Sequence, residues 1–438
     1  MSIDLRQRAA LILYILKWLL LAGGIAALAG SASALFLYSL DWVTATHADN
    51  RWLIWLLPFA GFAVGWVYLH YGSAVEAGNN LILDEIHETR RIIPLRMAPM
   101  VLGATLVSHL FGASVGREGT AVQMGGALAD QFTGVFRLSS ADRRIVLMAG
   151  IAAGFASVFG TPLGAAVFGL EMLATGRLRY EAMLPCLVAA VLADKVALWW
   201  GVQHDYFSVG LIPELSLWSV TVMILVGALF GLVARVFAEA THAVSGLMRR
   251  RVHYAPLRPF FGGLLIAIVA SLVAAERYLG LGLPVIREAF EVPLAWSDPL
   301  GKLLFTIASL GSGFKGGEVT PLFFIGATLG NVLAPVFNMP FAFLAAVGFV
   351  AVFAGAANTP LASTLMAMEL FGPGMGIFAA IACVVSYLFS GQAGIYSSQR
   401  VGDAKQHGAP EGLKLGDISA YRRKLRKRQH QQDDSPEP

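Results

Sequence analysis

The sequence predicts an all-α polytopic membrane protein built as two related halves, and three observations carry that prediction. First, 56% of the 438 residues are hydrophobic, 14% are charged and the mean hydropathy is +0.65, well outside the range of soluble globular domains. Second, residues 18–40, 52–75, 97–116, 145–170, 215–234, 319–368 and 370–399 contain no Asp, Glu, Lys or Arg. A spanning helix needs about 20 apolar residues, and helices are the default because a backbone facing lipid must satisfy its own hydrogen bonds. Third, a motif recurs two hundred positions apart: Gly116, Glu118 and Thr120 fall opposite Gly316, Glu318 and Thr320, and Gly126-Ala127 opposite Gly326-Ala327. Further on, Gly160-Thr161-Pro162-Leu163 is echoed by Asn358-Thr359-Pro360-Leu361, with Glu171 and Glu369 at the same distance beyond each proline.

In chain order, a polar start at 1–8 leads into a first helix reaching about Leu40, too long for a signal-peptide core and read as retained. A second span covers about 52–72, and polarity returns at 75–88. Asp84, Glu85, His87 and Glu88 form an acidic and histidine cluster; without a second ligand cluster it reads as a solvated helix end and not as a metal site. The chain is apolar again from 97 to 116, and Arg137, Arg143 and Arg144 mark an aqueous turn. Spans at 145–175 and 182–201 complete a first transmembrane repeat, 1–205, and the polar interval at 203–214 is the join. The second repeat, 206–400, opens with the span at 215–234 and is followed by a basic, partly disordered tail, 401–438. Stretches around 103–128, 306–335 and 353–375 are broken by Gly and Pro. Such interruptions at matching places in two halves predict discontinuous helices that meet at a site in mid-membrane.

The net charge of +4 is modest, and basic residues concentrate at Arg6 and Arg8, Arg90-Arg91, Arg249–Arg251 and Arg422–Lys424. The positive-inside rule puts these segments, and both termini, on the cytoplasmic side. Short basic clusters flanking apolar spans do not fit nucleic-acid binding. Cys186 and Cys383 sit in apolar stretches as packing residues. No cofactor or metal is expected.

A carboxylate inside a membrane protein is expensive unless it lines a cavity or carries a proton. Glu118 and Glu318 each follow glycine-containing turns where a helix restarts, and a helix N-terminus with free N–H groups is an anion site. There an ionised Glu118 competes with a solute anion, and protonation releases it, so anion and proton exchange. Glu171 and Glu369 read as helix caps or arginine partners.

Gly116-Arg117-Glu118-Gly119 resembles the gating-glutamate motif of the CLC chloride channels and transporters, and Gly316 to Pro321 resembles their second filter motif. The resemblance covers about 10–400 and implies two inverted repeats with broken helices meeting at mid-membrane, in a homodimer with one pore per subunit. Several departures are similar to the bacterial fluoride-transporting branch: Gly78-Asn79-Asn80 where chloride-type members carry serine, Thr120 for the usual proline, Glu318-Val319 for an aliphatic-aromatic pair, and Met172 where exchangers have an inner proton-relay glutamate. The resemblance implies export of cytoplasmic fluoride in exchange for protons across the bacterial inner membrane. It makes Glu118 the gating, proton-carrying group and Glu318 its candidate partner. It assigns anion binding to Asn79, Gly116, Arg117, Gly119, Thr120, Val319, Thr320 and Tyr396. The side-chain chemistry agrees, since small, strongly hydrated fluoride needs short, strong donors such as an amide, a hydroxyl and a phenol. A chloride/proton antiporter and a passive anion channel of the same fold are the alternatives. An intramembrane hydrolase using Glu118 with His70, His87 or His109 lacks any accompanying catalytic motif.

Overall fold

The computed structural model describes residues 5–405 and 409–433. Eight helices precede the polar join: α1 (Leu5–Asp49), α2 (Leu57–Tyr71), α3 (Asn79–His87), α4 (Met97–Leu110), α5 (Glu118–Phe136), α6 (Ser140–Phe159), α7 (Pro162–Glu171) and α8 (Met183–Trp199). Eight follow it: α9 (Leu217–Arg251), α10 (Leu257–Leu272), α11 (Leu283–Glu291), α12 (Ser297–Ser312), α13 (Val319–Phe337), α14 (Phe341–Ala357), α15 (Pro360–Phe371) and α16 (Gly376–Phe389). The two series run in the same order: α1 and α9 are the long first members at 45 and 35 residues, α3 and α11 have 9 residues each, and α5 and α13 have 19 each. Their directions oppose. The C-terminal parts of α2 and of α9 border one cavity, so α1 enters from the side on which its counterpart α9 ends, which is the inversion that the resemblance implies.

Among the described residues, five stretches are long and apolar enough to cross a membrane: Arg8–Asp49, Arg51–Tyr71, Tyr180–Trp199, Leu217–Arg251 and Val319–Phe337. Six further helices there are apolar and shorter, at 10–17 residues, which follows from the glycines and prolines that stop and restart them. Helix α6 ends at Gly160 in the left-handed conformation (φ +74°), and Pro162 opens α7 in the next turn. The second half repeats the device with Asn358 (φ +60°) and Pro360. These stops and starts follow the usual chemistry of helix ends, in which a left-handed residue closes one helix and proline's fixed φ opens the next.

The buried centre is formed by α5, α6, α13 and α14. Gly154 faces the backbone of Ala121, and Gly326 faces that of Gly348, so closely that a Cβ on either would collide with a carbonyl oxygen. Backbones approach this closely in membranes because packing, with no hydrophobic drive between helices, favours small residues.

Two sequence expectations change. The cluster at 84–88 is only in part a solvated helix end: Glu88 at the end of α3 is exposed, but Glu85 is buried and accepts from Arg143 at 2.9 Å, Asp84 meets Lys414 at 2.6 Å, and Glu88 pairs with Arg90 and Arg400. The carboxylates are spent tying α3 to α6 and to the C-terminal segment. The segment after Arg400 is also more ordered than its composition implies. Arg400–Val401 (β2) pairs in parallel with Ala174–Thr175 (β1), Lys405 donates to the Tyr387 carbonyl at 2.6 Å, and a last helix, α17, runs over Ile418–Asp433.

Candidate functional site: two crossed loops at the starts of α5 and α13

The loops preceding α5 and α13 meet at the centre of the molecule. Gly116 N–H donates to the Gly317 carbonyl at 2.6 Å, and Gly317 N–H returns the bond at 2.8 Å. Glycine is required at this crossing, because a Cβ on Gly317 would lie 2.7 Å from the Gly119 nitrogen, and one on Gly119 would lie 2.9 Å from the Gly317 Cα. The crossing brings the first turns of two helices, one from each half, to one point.

Glu118 is fully buried there. Its Oε2 accepts from the Thr320 amide at 3.0 Å and from the Thr320 hydroxyl at 2.5 Å. Thr320 lies in the first turn of α13, so the carboxylate occupies that helix's positive end, the place an anion would take. The same hydroxyl oxygen accepts from Arg117 N–H at 3.3 Å, and Arg117 Nε stands 3.5 Å from Glu118 Oε1.

Glu318 stands at the N-cap position of α13 without a side-chain capping bond, and faces a different space. Together with Asn79 at the start of α3 and Tyr396 beyond α16, it borders a cavity of about 760 Å³. Among the described residues its Oε2 is buried with no hydrogen-bond partner, and so is Asn79 Oδ1. A Cβ placed on Gly119 would lie 3.3 Å from Asn79 Nδ2 and 3.5 Å from Glu318 Oε2, so both side chains converge on the start of α5. Lys315, Arg249 and Arg258 border the cavity's outer part, and Lys315 lies over the Tyr68 ring at 4.3 Å. The Arg249–Arg251 cluster ends α9, which makes this the basic side of the molecule.

On the opposite side, near the join at 203–214, a small space of about 10 Å³ is bordered by Arg117, Glu118, Asp205, Thr320, Phe159 and Phe349. It has room for about one water. The rings of Phe323 and Phe349 stack at 4.1 Å, with Phe159 and Phe323 at 4.9 Å, and wall it from the packed centre. Glu118 therefore borders the small space, and Glu318, Asn79 and Tyr396 border the large one, with the crossed loops between.

Among the residues the sequence singled out, Asn79, Gly119, Glu118, Glu318, Thr320 and Tyr396 are brought together. Thr120 is not: its hydroxyl bonds with Thr105 at 2.8 Å, so the side chain turns toward α4 and away from the crossing. The Gly116 amide is spent on Gly317. Arg117 points to the small space, and Val319 is buried. Met172 is buried at the end of α7, where its thioether has no proton to exchange. Glu171 and Glu369 are helix caps: Glu171 accepts from Leu361 and Ala362 at the start of α15, and Glu369 from Leu163 and Gly164 at the start of α7. Cys186 and Cys383 are buried free thiols. Among the described residues, no three His, Cys, Asp or Glu side chains gather as a metal site would need. Sequence reasoning missed Asp205, which meets Arg117 at 3.6 Å and also pairs with Arg287. Its only signal was an acidic residue in an interval read as a connector.

Residues 60–391 match the profile of the voltage-gated chloride channel family. The chain is 60% identical over 422 residues, 95% of its length and 93% of the relative's, to a chloride/fluoride channel protein of Pseudomonas syringae pv. tomato. Among solved structures it resembles a CLC-type fluoride/proton antiporter, with a TM-score of 0.86 and 35% identity over 88% of this chain and 98% of that one. It shares its fold with a slow cyanobacterial chloride/proton antiporter, with a TM-score of 0.75, 21% identity, and 94% and 98% of the two chains covered. With a profile match over most of its length and so near a relative, the chain belongs to the CLC family of ion channels and transporters.

Proposed function

We propose that the protein is a secondary active transporter that exports cytoplasmic fluoride in exchange for protons. The observation that carries this reading is the Glu118 carboxylate bound to the Thr320 amide and hydroxyl at the α13 N-terminus, an anion's berth between two spaces on opposite sides. A fluoride ion arriving from the basic-side cavity meets Asn79 Nδ2, the Tyr396 phenol and the first-turn amides of α5. To take the Thr320 donors it displaces Glu118, whose departure is favoured by protonation. Glu318, unpartnered at one oxygen, is placed to hold a proton beside the anion, where a fixed negative charge would repel it. The anion donors are thus Asn79, Gly119, Val319, Thr320 and Tyr396, with Arg117 on the exit side. Residues 1–205 and 206–400 act as the two repeats, each completing the other's helix start.

The 60% and 35% identical proteins, named respectively for chloride/fluoride and for fluoride/proton transport, support fluoride as cargo. By the positive-inside rule the 760 Å³ cavity, with Arg249, opens to the cytoplasm. We place the chain in the bacterial inner membrane with both termini cytoplasmic, as a homodimer with one pore per subunit and chloride as a weak substrate.

In proteoliposomes, a fluoride gradient is expected to drive proton movement in the opposite direction, with fluoride released faster than chloride. Equal halide rates would transfer the assignment to a chloride exchanger, and fluoride flux without proton flux would make the protein a channel. Asn79→Ser is expected to lower the fluoride-to-chloride rate ratio, and an unchanged ratio places selectivity elsewhere.

A further inference from the structure

We infer that Asp205, balanced by Arg287, sets the pH at which Glu118 is released on the outer side. This rests on the exchange reading above and adds to it the group that tunes the gate. Four charges alternate in a row: Glu118, Arg117, Asp205 and Arg287. Arg117 Nε is 3.5 Å from Glu118 Oε1, its Nη2 is 3.6 Å from Asp205 Oδ2, and Asp205 pairs in turn with Arg287. The first three members border the same small space. Exposure rises along the row, from 0% at the Glu118 side chain through 11% at Arg117 and 20% at Asp205 to 58% at Arg287. Buried charge at one end is therefore connected to the aqueous surface at the other by side chains, not by packed apolar residues.

Among the described residues Arg117 has two carboxylate partners, and it divides its charge between them. Whatever Asp205 draws from the guanidinium, Glu118 loses. Removing the Asp205 charge leaves Arg117 wholly to Glu118, favours the bound carboxylate, and moves release to lower pH. Removing Arg287 leaves Asp205 to Arg117 alone, weakens the hold on Glu118, and moves release to higher pH. The other ionisable groups near this region are Glu318 at the start of α13, Asp41 of α1 within reach of Arg117 and Asp205, His109 at the end of α4, the Tyr396 phenol, and His204 beside Asp205, which pairs with Asp194 of α8 at 3.2 Å. Among the described residues none of these five joins the row by an ion pair within 4.0 Å, so their contribution is common to all variants below. At separations of two ion-pair steps in a site with little water, a unit charge moves a titration by roughly half to one pH unit.

The test is fluoride efflux from proteoliposomes as a function of pH, set equal on both sides, for the wild type, Asp205→Asn, Asp205→Glu and Arg287→Gln. The midpoint is expected to fall by about half a pH unit or more in Asp205→Asn, to rise in Arg287→Gln, and to stay with the wild type in Asp205→Glu. A purely structural latch between the 203–214 loop and α11 would move both charge-removing variants the same way, or lower their rates without moving the midpoint, and either result overturns the inference. Arg287 is more than half exposed, so its variant alone decides the sign should Asp205→Asn fail to assemble. Wild-type fluoride flux that carries no protons overturns the exchange reading and this inference together. A coupled wild type with unshifted variants overturns only the inference.

Discussion

The starts of α5 and α13 are written in matching sequence, Gly-x-Glu-x-Thr in each, and the structure uses them in opposite ways. Thr320 gives both its amide and its hydroxyl to Glu118, while the Thr120 hydroxyl pairs with that of Thr105. Glu118 is held by donors from the other half, while Glu318 Oε2 has no partner and its residue faces the large cavity. The physical cause lies in the crossing. Gly116 pairs with Gly317 and not with its repeat counterpart Gly316, so the two loops do not cross at equivalent residues. The two like parts therefore stand in different surroundings: Glu118 is bound by donors from the other half, and Glu318 forms part of the cavity wall.

The widest difference is expected between the two glutamates. Glu118→Gln, which cannot exchange a proton, is expected to cut proton-coupled fluoride flux by on the order of 100-fold or more, read as pH-gradient-driven fluoride movement in proteoliposomes. Unchanged coupled flux would remove the gate. Glu318→Gln is expected to slow proton turnover by a smaller factor, since Glu118 still binds and leaves its berth. Equal, complete loss in both would mean that the carboxylates act as one unit and that the asymmetry has no functional meaning.

The threonines sharpen the same comparison at a smaller scale. Thr320→Val deletes the hydroxyl donor but keeps the amide. A hydrogen bond to a charged acceptor is worth about 1.5–3 kcal/mol, so proton-independent fluoride leak is expected to rise by roughly tenfold or more, and Thr320→Ser is expected to restore tight coupling. Thr120→Val breaks only the neutral bond with Thr105; it is expected to cost about 1 kcal/mol of stability and to leave the leak at the wild-type level. A leak in both variants would mean that Thr120 faces the pathway during turnover.

Much of this was legible in the sequence. The spacing of two hundred residues points to the glutamates, the glycines and prolines to the broken helices, and the matched distance beyond Pro162 and Pro360 to Glu171 and Glu369 as counterparts, though not to the choice between helix caps and arginine partners. What the spacing could not carry was anything that breaks the repeat. The pairing of Gly116 with Gly317 is one residue off the period, so Thr120 looked equivalent to Thr320. Asp205 has no counterpart in the motif series and depends on Arg117 and Arg287 arriving from α5 and α11. Glu85 reads as a surface acid until α6 delivers Arg143 to it.

The pair that the offset leaves symmetric is expected to affect stability and not transport. Glu171 caps α15 and Glu369 caps α7, each with two backbone N–H bonds of 2.8–3.1 Å, so the halves here exchange like for like. A reciprocal pair of this kind locks two helix starts together without giving either carboxylate an alternative position. Each alanine variant orphans two N–H groups and is expected to lower stability by about 1–3 kcal/mol, measured as thermal unfolding in detergent, with the proton-to-fluoride ratio unchanged. Glu171→Ala is expected to cost more than Glu369→Ala, because Glu171 is buried and Glu369 only partly so. A changed transport ratio in either variant would show that the symmetric pair also moves during exchange, and that a cross-half carboxylate becomes a gate through mobility and not through the asymmetry of its surroundings.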